Sequence, residues 1–409
     1  MSLKSLTGFR DFYPEDCALR EWLFQAWKDS CREFGFQQVD GPPLEQLELF
    51  TRKSGDEIKS QLYEFQDKGG RDVALRPEMT PTLARMIGAR QRDYKKPLKW
   101  FSIPQVFRYE KPQKGRLREH YQWNCDIVGE AALGAEADLI ALLVHSLVRL
   151  GLSKKDFVVR ISDRQFWQEL LESHQVPESD YYEIYQALDK IERAPEEVTR
   201  EKLGDMADPV FEALESGRGG ERLDQLFQQL DALGIADCCK VDLSIVRGLA
   251  YYTGVVFEVH DVKGEYRAIA GGGRYDGLIN HLCGVDLPAL GFGMGDVVIT
   301  EMLNDKGLGP AAVQPKSTYL VIADEAVRPE ALALAGKLRR AGYRVDYPLS
   351  PSKVGKQFQA AEDRSYSEAL VLDARWKSEG ICACKNLKER QQDDVRIQWD
   401  GDEPEFIKI

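Results

Sequence analysis

The sequence predicts an α+β chain with a helical block set into its middle and a separate small α/β unit at its C-terminus. Three observations carry this. Strand-like runs before residue 163, and again between residues 241 and 300, come as hairpins and glycine-rich strands with amphipathic helices between them. Residues 164–236 turn helical and acidic. Residues 316 to about 398 alternate strand and helix, the pattern of a small layered domain with a largely parallel sheet. With 409 residues, 43% of them hydrophobic, two or three domains with a substantial core are expected.

From Pro14 to Phe34 the residues Leu19, Trp22, Leu23, Ala26, Trp27, Cys31 and Phe34 recur at intervals of three and four, which predicts an amphipathic helix stopped by Gly35. A strand and a double proline follow. "LYEFQDKGGRDVALRPE" alternates as a hairpin around Gly69 and Gly70, and "TPTLARMIGARQRD" opens a helix with Thr80 as its cap and Pro81 at its first position. "FRYEKPQKGRLREHYQWN", residues 107–124, reads as a second hairpin whose loop runs from Lys111 to Gly115. It holds Arg108, Lys111, Lys114, Arg116 and Arg118 in a chain of net charge -12, so an anionic partner is expected there. A solvated surface loop would carry the same charges.

The helix "ADLIALLVHSLVRLG" and the strand "FVVRIS" come next, then the helices "RQFWQELLESH", "SDYYEIYQALDKIE" and "RLDQLFQQLDALG". Strand-like sequence resumes at "CKVDLSIV" as if uninterrupted, which makes the helical block an insertion. Glycines 271–273 do not match G-x-G-x-x-G, because position 276 is aspartate, and no Walker lysine follows, so Rossmann and P-loop readings fail. These glycines either let a ligand lie against backbone or mark bulges and turns. Arg247, beside Tyr251 and Tyr252, is either a functional cation or half of an interior ion pair.

Composition excludes several classes. No apolar run approaches the roughly 18 to 20 residues of a membrane span, and "MSLKSLTGFRDFYPED" lacks a signal-peptide core, so the expected location is cytoplasmic. Eight cysteines form no C-x-x-C pair and do not group with the five histidines, so neither a metal site nor a disulfide framework is expected. Residues 315–409 carry sixteen basic and sixteen acidic side chains, so the whole negative excess lies before them. That balance argues against coating DNA but leaves room for local contacts to a polyanion.

Taken together, "LRPEMTPTLARM", "FRYEKPQKGRLREHYQWNCDIVG", "IVRGLAYYTGVVFE" and "GGGRYDGL" resemble the ordered signature segments of the histidyl-tRNA synthetase family, and "VDGPPLEQLELF" resembles the dimer-forming first motif of class II synthetases. The resemblance implies a class II antiparallel sheet flanked by helices, with a helical insertion and a C-terminal α/β anticodon-binding domain. The implied division is 1–163 and 237–312 for the catalytic core, 164–236 for the insertion and 316–409 for the anticodon domain. It further implies ATP and Mg²⁺, L-histidine and tRNA(His) as partners, and a homodimer.

Amino-acid activation brings a carboxylate against the α-phosphorus of ATP, so positive charge must gather two anions. By resemblance Arg108 would clamp the α-phosphate and carboxylate, Glu110 would receive the adenine amino group, and Arg247 would stabilise the α-phosphate from the other side. Asp126 and Tyr252 would read the imidazole; Glu78, Thr80 and Gln122 would hold the ammonium group; Tyr251, Tyr275 and the backbone at Gly272 and Gly273 would shape the pocket. Glu78 could instead cap the following helix, and Tyr251 could be core. Lys111, Lys114 and Arg118 would meet the tRNA acceptor end. Between residues 337 and 377, nine cations face five carboxylates, an excess suited to an RNA backbone and also common on solvated helices.

Three positions depart from the family pattern: Asp126 stands where a glutamate is usual, Ala250 where an aspartate is, and Val298 where the third motif has its ATP-binding arginine. The chain therefore resembles a variant branch that includes plant-organelle forms, and Arg116 is expected to supply the missing charge. Two alternatives fit the same sequence. One is a non-catalytic, histidine-sensing regulatory paralogue of histidine biosynthesis; the other is a pure RNA-binding or stress-sensing module.

Overall fold

The computed structural model describes residues 3–52, 60–246, 251–310, 316–401 and 403–409; Arg247 and Ala250 lie outside these. The chain divides into two compact units, Met1–Pro310 and Ala311–Ile409.

The first unit is built on a mixed sheet of nine strands among the described residues. Across it run Gln37–Gln38, Leu98–Ser102, Glu119–Val128, Ala289–Gly295, Ala270–Arg274, Val255–Asp261, Phe157–Asp163 and Cys239–Val241, while Gln105–Phe107 pairs separately with Glu119–Val128. The inner pairs are antiparallel and the two outermost pairs parallel. Strand side chains alternate between faces. One face of Glu119–Val128 sends Trp123, Cys125 and Ile127 into the main core. There Trp123 stacks on Trp27 of the helix Pro14–Glu33 at 5.5 Å between centroids and meets the Phe292 ring edge-on at 4.9 Å. Each such buried side chain contributes on the order of 1.5 to 3 kcal/mol. The opposite face carries Gln122, Asn124 and Asp126.

Both sequence-predicted hairpins form. Tyr63–Gln66 pairs with Asp72–Leu75, and Gly70 takes φ +76° in the turn. Phe107 stands opposite Glu119, and an isolated bridge between Gln113 and Arg116 closes the loop beyond. The expected cap at Thr80 is corrected: the helix is Thr80–Arg90, with Met79 at the N-cap and no capping side-chain bond. Met79 already lies in the right-handed helical region, and its carbonyl accepts the Leu83 N–H at 2.9 Å, so the ladder starts one residue earlier. The Thr80 hydroxyl is thereby left for the cavity described below.

The helical block consists of Arg164–Ser173, Tyr181–Asp189, Glu196–Leu203, Ala207–Ser216 and Gly220–Ala232 among the described residues. The strand before it and the strand after it pair in parallel, Val159 opposite Cys239, so the chain leaves and re-enters at one sheet edge. Trp167, Leu171, Leu188, Leu223, Leu226 and Leu230 belong to the core of Trp123, so the block packs as part of the first unit.

The second unit has a six-stranded sheet in the order Arg344–Asp346, Ser317–Ile322, Glu368–Leu372, Ile381–Asn386, Gln392–Asp400 and Glu403–Lys408. The expectation of a largely parallel sheet holds only for the first three strands. The last three form an antiparallel meander, because the turns joining them are too short for the crossover that parallel pairing requires. Helices Arg328–Arg340 and Val354–Asp363 supply the crossovers among the parallel strands. Among the described residues no helix is long and apolar enough to cross a membrane.

Candidate active site

Two cavities lie on the polar face of the large sheet. The smaller, of about 90 Å³, is lined by Glu78, Thr80, Arg108, Gln122, Asn124, Asp126, Tyr251, Tyr252 and Tyr275, with Gly271, Gly291 and Gly293 among its backbone walls. The strand period places Gln122, Asn124 and Asp126 side by side. The glycines opposite make room for them: Asp126 pairs with Gly291 and Asn124 with Gly293. A Cβ on Gly291 would stand 2.0 Å from Asp126 Oδ1, and one on Gly293 would stand 2.8 Å from Gln122 Nε2. The glycine-rich segment is thus required by polar side chains lying across it. Gly272 falls on the other side of the pleat, where a Cβ would come within 2.6 Å of Phe292 Cβ, and it is Gly271 that faces the cavity.

The Tyr275 hydroxyl donates a hydrogen bond to Asp126. Burial pushes the Asp126 carboxyl up to about 7, against the pull of that bond. Tyr275 is raised well above the usual phenol range by burial and by the neighbouring carboxylate. Glu78 is also raised by burial, with Arg108 opposing the shift. The cavity therefore offers two carboxyl groups, two amides, the Thr80 hydroxyl and three phenols to a small polar ligand, and an arginine at its mouth.

The larger cavity, of about 990 Å³, begins at that same Arg108 and continues past Glu110, Arg116, His120, Arg160, Glu258, His260 and Arg267 to Val297 and Val298. Arg108 is held in place by its Nε–H, which donates to the Pro77 carbonyl at 2.9 Å. Arg116 and Glu110, both expected at the nucleotide, pair with each other, with a guanidinium N–H donating to Glu110 Oε1 at 2.7 Å. Burial and the charges of Arg108, Arg10 and Arg116 lower His120 to about 3, so it stays neutral near pH 7. The first turn of the helix Asp296–Asp305 faces this space with Val297 and Val298. Asp296 turns away, accepting the Tyr121 N–H at 3.0 Å and pairing with Arg10 at 3.0 Å.

Of the three cations expected at a polyanion, Lys111 and Lys114 are exposed on the hairpin loop, the Lys114 ammonium 5.5 Å from the Tyr266 ring centroid. Arg118 turns inward, donating to the Glu110 carbonyl at 3.0 Å and stacking 4.3 Å from the Tyr109 centroid. Arg247 lies outside the described residues.

Asn124 and Gly293 escaped sequence reasoning, although Asn124 sits midway between Gln122 and Asp126 at strand spacing. Two supporting networks carried no local signal. Arg10 pairs with Glu119 at 2.7 Å under the hairpin, and Arg274 makes two 2.7 Å bonds to buried Glu136.

A family profile described as "Histidyl-tRNA synthetase" matches residues 8–295, and one described as "Anticodon binding domain" matches residues 311–399. The chain belongs to the histidyl-tRNA synthetase family. The histidine–tRNA ligase of Opitutus terrae is 44% identical over 419 residues, covering 96% of each chain. The chloroplastic/mitochondrial histidine–tRNA ligase of Arabidopsis thaliana is 40% identical over 95% of this chain and 84% of its own. The crystal structure of histidyl-tRNA synthetase from Nostoc sp. PCC 7120 superposes with a TM-score of 0.80 over 97% of each chain at 22% identity, a likeness of fold. The α+β class with an appended anticodon-binding domain, read from the sequence, stands.

Proposed function

We propose that the chain is a histidine–tRNA ligase: it activates L-histidine with ATP to histidyl-adenylate and pyrophosphate, then transfers histidine to the 3′ end of tRNA(His). The observation that carries this reading is the single arginine, Arg108, standing where a small polar cavity opens into a large cationic one. A carboxylate entering from one side and a phosphate from the other meet at that guanidinium. Bidentate arginine suits both anions.

In the reaction a carboxylate oxygen of histidine attacks the α-phosphorus and the bond to pyrophosphate breaks. A ribose hydroxyl of tRNA then attacks the carbonyl and AMP leaves. Arg108 aligns the two anions and stabilises the charge that grows as they join, with Arg247 acting from the opposite side. Asp126 and Tyr252 read the imidazole, and Asp126, with its raised affinity for a proton, is relieved by a ring N–H it can accept. Glu78, Thr80 and Gln122 take the ammonium group, while Tyr251 and Tyr275 close the pocket. The backbone share assigned to Gly272 falls to Gly271 beside it. Glu110 receives the adenine amino group, which requires it to give up Arg116, and Arg116 then turns to the outer phosphates. Mg²⁺ would neutralise charge on those phosphates, and Glu258, whose carboxylate lies 2.9 Å from His260 on the cavity wall, would hold it as an oxygen ligand, directly or through water.

Lys111 and Lys114 meet the tRNA acceptor end and the second unit, residues 316–409, reads the anticodon. Residues 1–163 and 237–312 form the catalytic core with 164–236 inserted. The active form is a homodimer in the cytoplasm or an organelle stroma. The regulatory-paralogue reading is disfavoured by curated relatives at 35 to 44% identity, all named histidine–tRNA ligase, and by the anticodon-binding domain. Charging of tRNA with labelled histidine by the purified chain tests the proposal; histidine binding without charging would favour the regulator.

A further inference from the structure

We propose that Arg267 supplies the phosphate contact that Val298 cannot make, gripping the outer phosphates of ATP from the floor of the larger cavity. This rests on the ATP reading of that cavity. Val298 stands where the third class II motif normally has its arginine, and an aliphatic side chain cannot hold a phosphate. The structure brings another arginine to the same spot from a different part of the chain. A Cβ built on Gly115, at the tip of the basic hairpin, would lie 3.4 Å from Val298 Cγ2 and 3.6 Å from Arg267 Cδ. Valine and arginine thus approach one point, and both line the larger cavity.

The guanidinium and its place together single out Arg267. Arg193 also lines the cavity with no hydrogen bond or ion pair to its side chain among the described residues, but it belongs to the helical block, whereas the atoms nearest a Gly115 Cβ are those of Val298 and Arg267. Arg116 is paired with Glu110, and Arg160 is shared between Glu192 and Asp242. Arg267 is exposed, and among the described residues no hydrogen bond or ion pair engages its side chain.

Its backbone is nevertheless fixed on both sides. Tyr266 N–H donates to Asp261 at 3.0 Å and the Tyr266 hydroxyl bonds Asp305; two residues on, the buried Ile269 donates its N–H to the Val259 carbonyl at 2.8 Å. A free cationic head on an anchored stem is the arrangement that binds an anion with little reorganisation. Arg116 must first leave Glu110. Arg267 has no partner among the described residues to give up and stands beside Val298, so the charge missing from the third motif is met mainly by Arg267.

The test is calorimetric binding of ATP and AMP to the full chain, with histidine binding as the control. Wild type is expected to prefer ATP, with its outer phosphates, over AMP. Arg267→Ala should lower ATP affinity about tenfold, the scale of a charge-assisted hydrogen bond, while leaving AMP and histidine affinities within twofold. Arg267→Lys should fall between, and Val298→Arg added to Arg267→Ala should recover part of the loss. An ATP affinity unchanged in Arg267→Ala, with wild type still preferring ATP, overturns the inference and leaves the ATP reading standing. Equal losses of ATP, AMP and histidine binding also overturn it, as a merely structural effect. A wild type that does not distinguish ATP from AMP overturns both.

Discussion

Replacing Asp126 with asparagine should make the protein less able to bind histidine and should raise its stability relative to wild type as pH rises from 5 to 8. The Asp126 carboxyl sits at about 7 in the folded chain, against about 3.9 when unfolded. The folded state therefore holds the proton more tightly. The ionisation penalty is absent below the unfolded value, grows as pH rises through about 4, and is complete above about 7. Three pKa units at 1.36 kcal/mol each come to about 4 kcal/mol, of which roughly 3 accrues between pH 5 and pH 8. Asparagine does not titrate, so it escapes this penalty. It can still accept from the Tyr275 hydroxyl, and whatever its own amide N–H groups cost applies equally at both pH values. The variant should therefore gain on wild type by roughly 3 kcal/mol from pH 5 to pH 8, or about 5 °C in melting temperature for a unit of this size. Differential scanning calorimetry on both proteins at the two pH values measures it, following the transition of the first unit. Parallel pH profiles would refute the reasoning. In exchange kinetics the same variant should raise the Michaelis constant for histidine far more than that for ATP; equal effects would make Asp126 structural.

Arg247→Ala should cost about 2.7 to 4 kcal/mol in activation, by analogy with loss of one oxyanion donor, and leave the fold intact; an exchange rate within threefold of wild type would reject that role. Lys111→Ala with Lys114→Ala should flatten the salt dependence of tRNA binding and spare exchange, because phosphate contacts are lost uniformly; collapse of exchange would move the loop into the ATP site. Truncation after Leu308 should preserve histidine-dependent exchange, provided the dimer survives, and cripple tRNA charging; undiminished charging would remove the anticodon assignment from the second unit.

Periodicity made the long helices, both hairpins and the helical block legible, because each buries a face whose spacing is written locally. The cap at Thr80 was misplaced because a buried methionine, a poor capper by propensity, takes the N-cap when tertiary packing holds its backbone helical. The parallel character of the second sheet was overread: strands 381–408 share the apolar content of their neighbours, and only the shortness of their turns betrays the meander. In the site, resemblance collected Glu78, Thr80, Gln122, Asp126, Tyr251, Tyr252 and Tyr275, and the fold brings them to one cavity with Arg108. Which glycine faces that cavity depends on pleat phase, which a run of three glycines cannot show. Partners distant in sequence, such as Arg10 with Asp296 or Arg267 with Val298, required the tertiary structure.

Histidine-dependent exchange of pyrophosphate into ATP is the most direct measurement of the claim that the two cavities meeting at Arg108 form one activation site. The purified full chain should catalyse it with histidine and with no other amino acid at comparable concentration, and Arg108→Ala should reduce it by at least a hundredfold, roughly the cost of one transition-state donor. Absence of exchange in the wild type, or exchange that does not need Arg108, would contradict the account.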